Sequence, residues 1–119
     1  MVLRPLAARV LRPEQDAAVL LEGAPGQRAQ RVTGTDVDTL TLPFMGIVRG
    51  SIAGLPVMIC RLSFSGELAF EVYCGAGHGQ KVWYELMEAG QPFDITPYGL
   101  EALGTLRIEK GHVTGAEID

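Results

Sequence analysis

Two runs of period-two alternation meet at Ser65-Gly66, and no other stretch of the chain limits its fold as much. On the incoming side Val57, Ile59 and Arg61 alternate with Met58, Cys60, Leu62 and Phe64. On the outgoing side Phe70, Val72 and Cys74 alternate with Ala69, Glu71 and Tyr73. Successive side chains of a strand point to opposite faces, so this is the pattern of paired strands. Ser65-Gly66 supplies a tight turn between them, with glycine accepting φ > 0 at no steric cost. Residues 46–52 and 55–64, separated by Ala53-Gly54, make a second hairpin. The expected product is an antiparallel strand meander around residues 46–75, its inward residues including Ile47 or Val48, Ile52, Val57, Ile59, Phe70 and Val72.

After that meander the period changes. Val82, Trp83, Leu86 and Met87 fall on one stripe, with Lys81, Glu85 and Glu88 outside it, which predicts a helix over 80–89. Trp83 is its core anchor and Gly90 the expected C′ glycine. Thr96-Pro97 reads as a hydroxyl N-cap followed by proline at N1, opening a second helix. Leu100, Leu103 and Leu106 line one face of it, and Lys110-Gly111 ends it. Upstream, 17–22 is an apolar run the size of a buried strand. Residues 23–26 turn the chain, 27–32 read as a short helix, and 1–12 read as a strand or an extended arm. The fold class is α+β: an antiparallel sheet with two or three packed helices. A single domain is expected, with 1–22 an N-terminal arm and first strand and 23–119 the body.

Composition narrows the partners. Fourteen acidic residues against ten basic ones give a net charge of −4, and no Lys/Arg cluster offsets it, so nucleic acid is excluded as a partner. No apolar run is long enough to cross a bilayer. Arg4, Arg9 and Arg12 without a nearby acid resemble a transit peptide, but Pro5 and Pro13 interrupt any amphipathic helix there, and the cytoplasm is the default. Cys60 would lie opposite Tyr73, one residue out of register with Cys74, so two free thiols in a reducing compartment are expected. His78 and His112 stand alone, which leaves no metal site. The glycines of 23–26 lack the spacing of a phosphate-binding loop.

Glu71 is the residue with two open readings. It sits between Phe70 and Val72, on the face that Ala69 and Tyr73 share. It is either the solvent-facing position of a one-sided strand, or a carboxylate on a rigid strand that accepts hydrogen bonds from a planar N–H-bearing ligand. Local pattern does not choose between them.

Residues 61–72, Arg-Leu-Ser-Phe-Ser-Gly-Glu-Leu-Ala-Phe-Glu-Val, are followed at 99–111 by Gly-Leu-Glu-Ala-Leu-Gly-Thr-Leu-Arg-Ile-Glu-Lys-Gly. The pair resembles the folate-binding domain of the aminomethyltransferases, the glycine-cleavage T-protein family. Relatives of that family form the C-terminal half of dimethylglycine-oxidising enzymes and of the alpha subunit of heterotetrameric sarcosine oxidase. The wording of 101–111, together with Pro43-Phe44-Met45, is nearer to the sarcosine oxidase branch. The resemblance runs from about residue 23 to 119.

That resemblance implies a reduced folate, tetrahydrofolate, held at its pteridine edge by the second glutamate of the Gly-Glu-x-x-x-Glu motif, which is Glu71. Phe64 matches the position beside the pteridine where the family commonly has tyrosine. The arginine that T-proteins use on the folate maps to Leu103, and the aspartate after it to Gly104. The family's catalytic aspartate lies upstream and has no match, so no catalytic residue is expected here. The implied whole is a sarcosine oxidase alpha subunit-like protein that passes a one-carbon unit from an oxidised N-methyl amine to tetrahydrofolate. Flavin and NAD would sit elsewhere in it, and other subunits would be its partners. This chain is then a piece of that domain, inactive by itself. The alternative is a non-catalytic folate-binding or assembly module of the YgfZ-like type, whose Lys-Gly-Cys-x-x-Gly-x-Glu motif resembles residues 110–117 with His112 in place of the cysteine. A third reading is a decayed reading frame that folds as a homodimer over its open sheet edge.

Overall fold

Six strands form one sheet in the computed structural model, which describes residues 7–11, 16–22, 33–34, 37 and 42–118. In chain order they are β1 (Ala7–Leu11), β2 (Asp16–Glu22), β3 (Ile47–Ile52), β4 (Leu55–Cys60), β5 (Ala69–Gly75) and β6 (Thr96–Pro97). Their spatial order is β3-β4-β5-β2-β1-β6. All neighbours are antiparallel except β1 and β6, which run parallel. Two helices follow the meander, α1 (Gly79–Gly90) and α2 (Leu100–Glu109). The architecture is α+β, and the meander of β3, β4 and β5 is there. The sheet continues past it, because β2 pairs along the whole of β5, from Asp16 opposite Gly75 to Glu22 opposite Ala69. The short helix expected over 27–32 and the turn at 23–26 lie outside the described residues.

Alternation decides which face is buried. Phe70, Val72 and Cys74 of β5, Val57 and Ile59 of β4 and Ile52 of β3 share one core with Val82 and Leu86 of α1. Full burial of a side chain such as Phe70 is worth about 1.5–3 kcal/mol of transfer free energy. Trp83 and Met87 are half-buried against the same cluster. Of the two candidates at the start of β3, Val48 packs on the core and Ile47 is exposed.

Three local expectations need correcting. First, β4 and β5 are not joined by a tight turn: β4 ends at Cys60 and β5 begins at Ala69, so residues 61–68 form a loop. Cys60 therefore faces Glu71, and Met58 faces Tyr73. The register moved by two residues, and a shift of two leaves every side chain on its expected face. Both cysteines are buried free thiols.

Second, Thr96-Pro97 does not open a helix. It is captured as a strand by β1, Ala7 opposite Thr96 and Ala8 opposite Pro97, and α2 starts after extended Gly99, whose carbonyl accepts from the Leu103 N–H at 3.2 Å. Proline tolerates this place because an edge strand does not need every N–H. Leu103 is the buried residue of α2, packed with Ala69 and half-buried Tyr98, while Leu100 is 68% exposed. The three leucines therefore do not form one buried face.

Third, Gly90 is not a left-handed C′ residue. It is the last residue of α1, with right-handed φ −82°, and the chain runs on into a turn of 3-10 helix over Gln91–Phe93. Its missing side chain is explained by Ile95, whose Cβ would lie 2.7 Å from a Cβ at position 90. The end of α2 does follow expectation. Gly111 takes φ +71°, its N–H donates to the Ile108 carbonyl at 3.0 Å, and the His112 N–H donates to the Arg107 carbonyl at 2.8 Å, the paired bonds of a Schellman cap.

Candidate functional site

The face of the sheet opposite the α1 core carries the candidate site. Ala69, Glu71 and Tyr73 alternate onto it from β5, and Met58 and Cys60 meet them from β4. α2 packs on the Ala69 end of this face, through Leu103. Glu71 is half-buried, in contrast to the buried Phe70 and Val72 on either side of it. A carboxylate there is neither fully in water nor sealed in the core.

Its orientation is set from the same strand. Residues two apart on a strand share a face, and the Tyr73 hydroxyl donates a hydrogen bond to Oε2 of Glu71. That bond, with burial and the Glu71 charge behind it, pushes the Tyr73 phenol up to about 12. Across the strand pair, burial and then the Glu71 charge push the Cys60 thiol up. Tyr73 and Cys60 thus remain protonated beside Glu71 at neutral pH, and the cluster offers hydrogen-bond acceptance at one carboxylate.

Phe64 is placed by the loop over 61–68. Its base extends the β3–β4 ladder, with Met45 N–H to the Arg61 carbonyl and Arg61 N–H to the Gly46 carbonyl, both 3.0 Å. An Arg61 guanidinium nitrogen also donates to the Leu42 carbonyl at 3.0 Å. Two serines then fold the tip: Ser63 Oγ accepts from the Gly66 N–H at 2.9 Å, and Ser65 Oγ accepts from the Glu67 N–H at 3.2 Å. Glu67 reaches Lys110 Nζ at 3.1 Å, which ties the loop to the end of α2. The Phe64 ring, 40% exposed, meets the His112 ring at 5.9 Å between centroids, tilted by 58°.

Glu71 and Phe64 therefore have separate neighbours, Tyr73 and Cys60 for the first and His112 for the second. Two shallow clefts lie along β5, and neither Glu71 nor Phe64 lines them. One of about 370 Å³ is lined by Phe44, Arg61, Ser63, Gly66, Ala69 and His112. Another of about 290 Å³ is lined by Arg49, Pro56, Met58, Tyr73 and Gly75. Ala69 belongs to the first and Tyr73 to the second, so Glu71 lies between them, each about 7 Å away along the strand.

Sequence reading singled out Glu71 and Phe64 but not Tyr73, although the i, i+2 spacing of Glu71 and Tyr73 is a sufficient signal for a same-face pair. Arg107 of α2 forms a two-pronged pair with Glu117, at 2.8 and 2.9 Å, and donates to the His112 carbonyl at 3.2 Å. Glu117 also accepts from the Thr114 N–H at 3.0 Å. These bonds, the Arg107 one foremost, hold the Glu117 carboxyl down at about 2. Among the described residues no three His, Cys, Asp or Glu side chains gather into a metal-binding group, and no helix is long and apolar enough to cross a membrane.

Comparison with known proteins agrees with this arrangement of motifs. Residues 16–119 match the family described as the GCVT N-terminal domain. The sarcosine oxidase subunit alpha of Rhizobium meliloti (strain 1021) is 44% identical over 92 residues, covering 76% of this chain and 9% of that protein. The sarcosine oxidase subunit alpha of Corynebacterium sp. (strain P-1) is 43% identical over 104 residues, covering 84% of this chain and 11% of that protein. The aminomethyltransferase of Chloroherpeton thalassium is 38% identical over 97 residues, covering 79% of this chain and 27% of that protein. The matched region is thus a small part of each relative's length.

Proposed function

The chain belongs to the family of the GCVT N-terminal domain, and from that premise we propose that it is part of the folate-binding domain of a sarcosine oxidase alpha subunit-like protein. Residues 23–119 would form the body of that domain, with β1 and β2 from the first 22 residues completing its sheet. Glu71 binds the aminopyrimidine edge of tetrahydrofolate, because a carboxylate accepts two parallel N–H donors in one plane. Phe64 supplies apolar wall on the loop side. Bound tetrahydrofolate supplies a nitrogen that takes up a one-carbon unit.

The observation that carries this reading is Glu71 itself: a half-buried carboxylate in an apolar strand, on the face away from the main core, oriented by a hydroxyl. The acceptor set fits a donor-rich edge. The Tyr73 proton is already given to Glu71, and the Cys60 thiol is a weak donor, so a ligand edge made only of carbonyls would find little to bind. In the whole protein the one-carbon unit would come from an N-methyl amine oxidised at a flavin site in another part, with NAD also bound elsewhere and other subunits assembled around it in the cytoplasm. No residue of this chain is assigned a proton transfer, and alone it would turn nothing over.

The test is a thermal melt of the chain with and without excess tetrahydrofolate. Ligand at a hundred times its dissociation constant adds about 2.7 kcal/mol, enough to raise the midpoint by several degrees. A cooperative melt with an unmoved midpoint at millimolar tetrahydrofolate would overturn the reading for this chain.

A further inference from the structure

We infer that Tyr73 is the positioning residue for the folate carboxylate, holding Glu71 in one rotamer with Oε2 engaged and Oε1 presented to the ligand. This rests on the folate reading of Glu71 and adds to it the group that prepares the site. The two side chains are adjacent on one face of β5, a strand paired on both sides, by β4 and β2. Neither backbone position has freedom to drift, so the phenol and the carboxylate meet through side-chain torsions alone.

A glutamate side chain in water samples many rotamers, and a ligand that binds it must select one. The Tyr73 hydroxyl makes that selection before the ligand arrives, and ordering one flexible side chain in advance is worth about three- to tenfold in affinity. The phenol has one proton and gives it to Oε2. Oε1 keeps its full acceptor capacity, and Oε2 keeps one lone-pair direction, which still permits a two-point contact with parallel N–H groups. A phenol that titrates at about 12 remains a donor across the physiological range, so the arrangement is constant with pH there. Tyr73 also lines the cleft on its own side of Glu71, and Glu71 is only half-buried with the hydrogen bond in place.

The experiment uses the full chain as wild type, Tyr73→Phe, Glu71→Gln and the double variant, with tetrahydrofolate titrated calorimetrically under anaerobic conditions. The unliganded melting temperature of each variant serves as the control for folding. Tyr73→Phe is expected to weaken binding about three- to tenfold in the wild-type background and by less than about twofold in the Glu71→Gln background, because its effect passes through Glu71. A structural role alone would weaken both equally, and that result overturns the inference, as does wild-type affinity in Tyr73→Phe. A wild-type chain that binds no tetrahydrofolate overturns the folate reading and this inference with it. The pair is also read without ligand by NMR of 13Cζ-labelled tyrosine. The highest-titrating of the three tyrosines is expected to move down toward the ordinary phenol range in Glu71→Gln, and an unmoved titration overturns the inference even if Tyr73→Phe fails to fold.

Discussion

A Cβ placed on Gly66 would stand 2.8 Å from the Cβ of Lys110, closer than real side chains approach. The tip of the loop over 61–68 is therefore seated on the last turn of α2 with no room for a methyl group between them. The same glycine has φ +83°, which L-residues avoid.

Gly66→Ala is expected to destabilise the chain by roughly 2–4 kcal/mol, the sum of a left-handed backbone penalty and an overpacked contact. Gly111→Ala isolates the backbone part, since Gly111 has φ +71° and open space where its Cβ would be. Urea unfolding should place Gly66→Ala below Gly111→Ala in midpoint, with similar slopes. Equal midpoints would mean that the Lys110 contact carries no cost.

The two-residue turn between β3 and β4 holds a residue ill-suited to it. Ala53 has φ +50° and Gly54 φ +77°, both positive, as in the turns that favour asparagine followed by glycine. Ala53→Asn is expected to stabilise the chain by about 0.5–1 kcal/mol, seen as a rise of a few degrees in melting temperature. A fall in melting temperature would show that this turn is held by contacts outside the hairpin.

Glu117 gives the chain an acid-sensitive tie. Its carboxyl is held at about 2 when folded, against an ordinary 4.5, so the unfolded chain binds the proton more readily. The stabilisation is present above the ordinary value and is lost as pH falls through about 2. The melting temperatures of wild type and Glu117→Gln should differ at pH 6 and converge by pH 2. The gap should shrink in high salt, because the pair is at the surface. A gap that persists unchanged to pH 2 would mean that the charge of Glu117 is not what matters.

Much of the site was legible because strand parity is robust. Alternation placed Glu71 on the face of Ala69 and Tyr73, and a loop in place of a tight turn shifted the register by two without altering that face. Alternation does not report where pairing stops, so the boundary at Cys60 was missed. Thr96-Pro97 carried a sound local helix-start signal that lost to a distant partner, β1, which no local pattern announces. Gly90 was rightly marked as a special position for the wrong reason, since the approach of Ile95 belongs to tertiary packing. The exposure of Leu100 was invisible because spacing along a helix says which residues share a face, not whether anything covers it.

The strand order also bears on the sequence of events as the polypeptide is made. β3, β4 and β5 are consecutive in the chain and adjacent in the sheet, so each can pair soon after its neighbour leaves the ribosome. β2 must wait for β5, and β1 cannot gain its second neighbour until residues 96 and 97 have emerged. The local meander is cheap in loop-closure entropy, while the early strands and β6 depend on distant contacts. Growth of this sheet during synthesis therefore runs outward from its middle-born strands, and the upstream pair β1–β2 waits longest for the neighbours that cover it, leaving edges a chaperone or a neighbouring nascent chain could find.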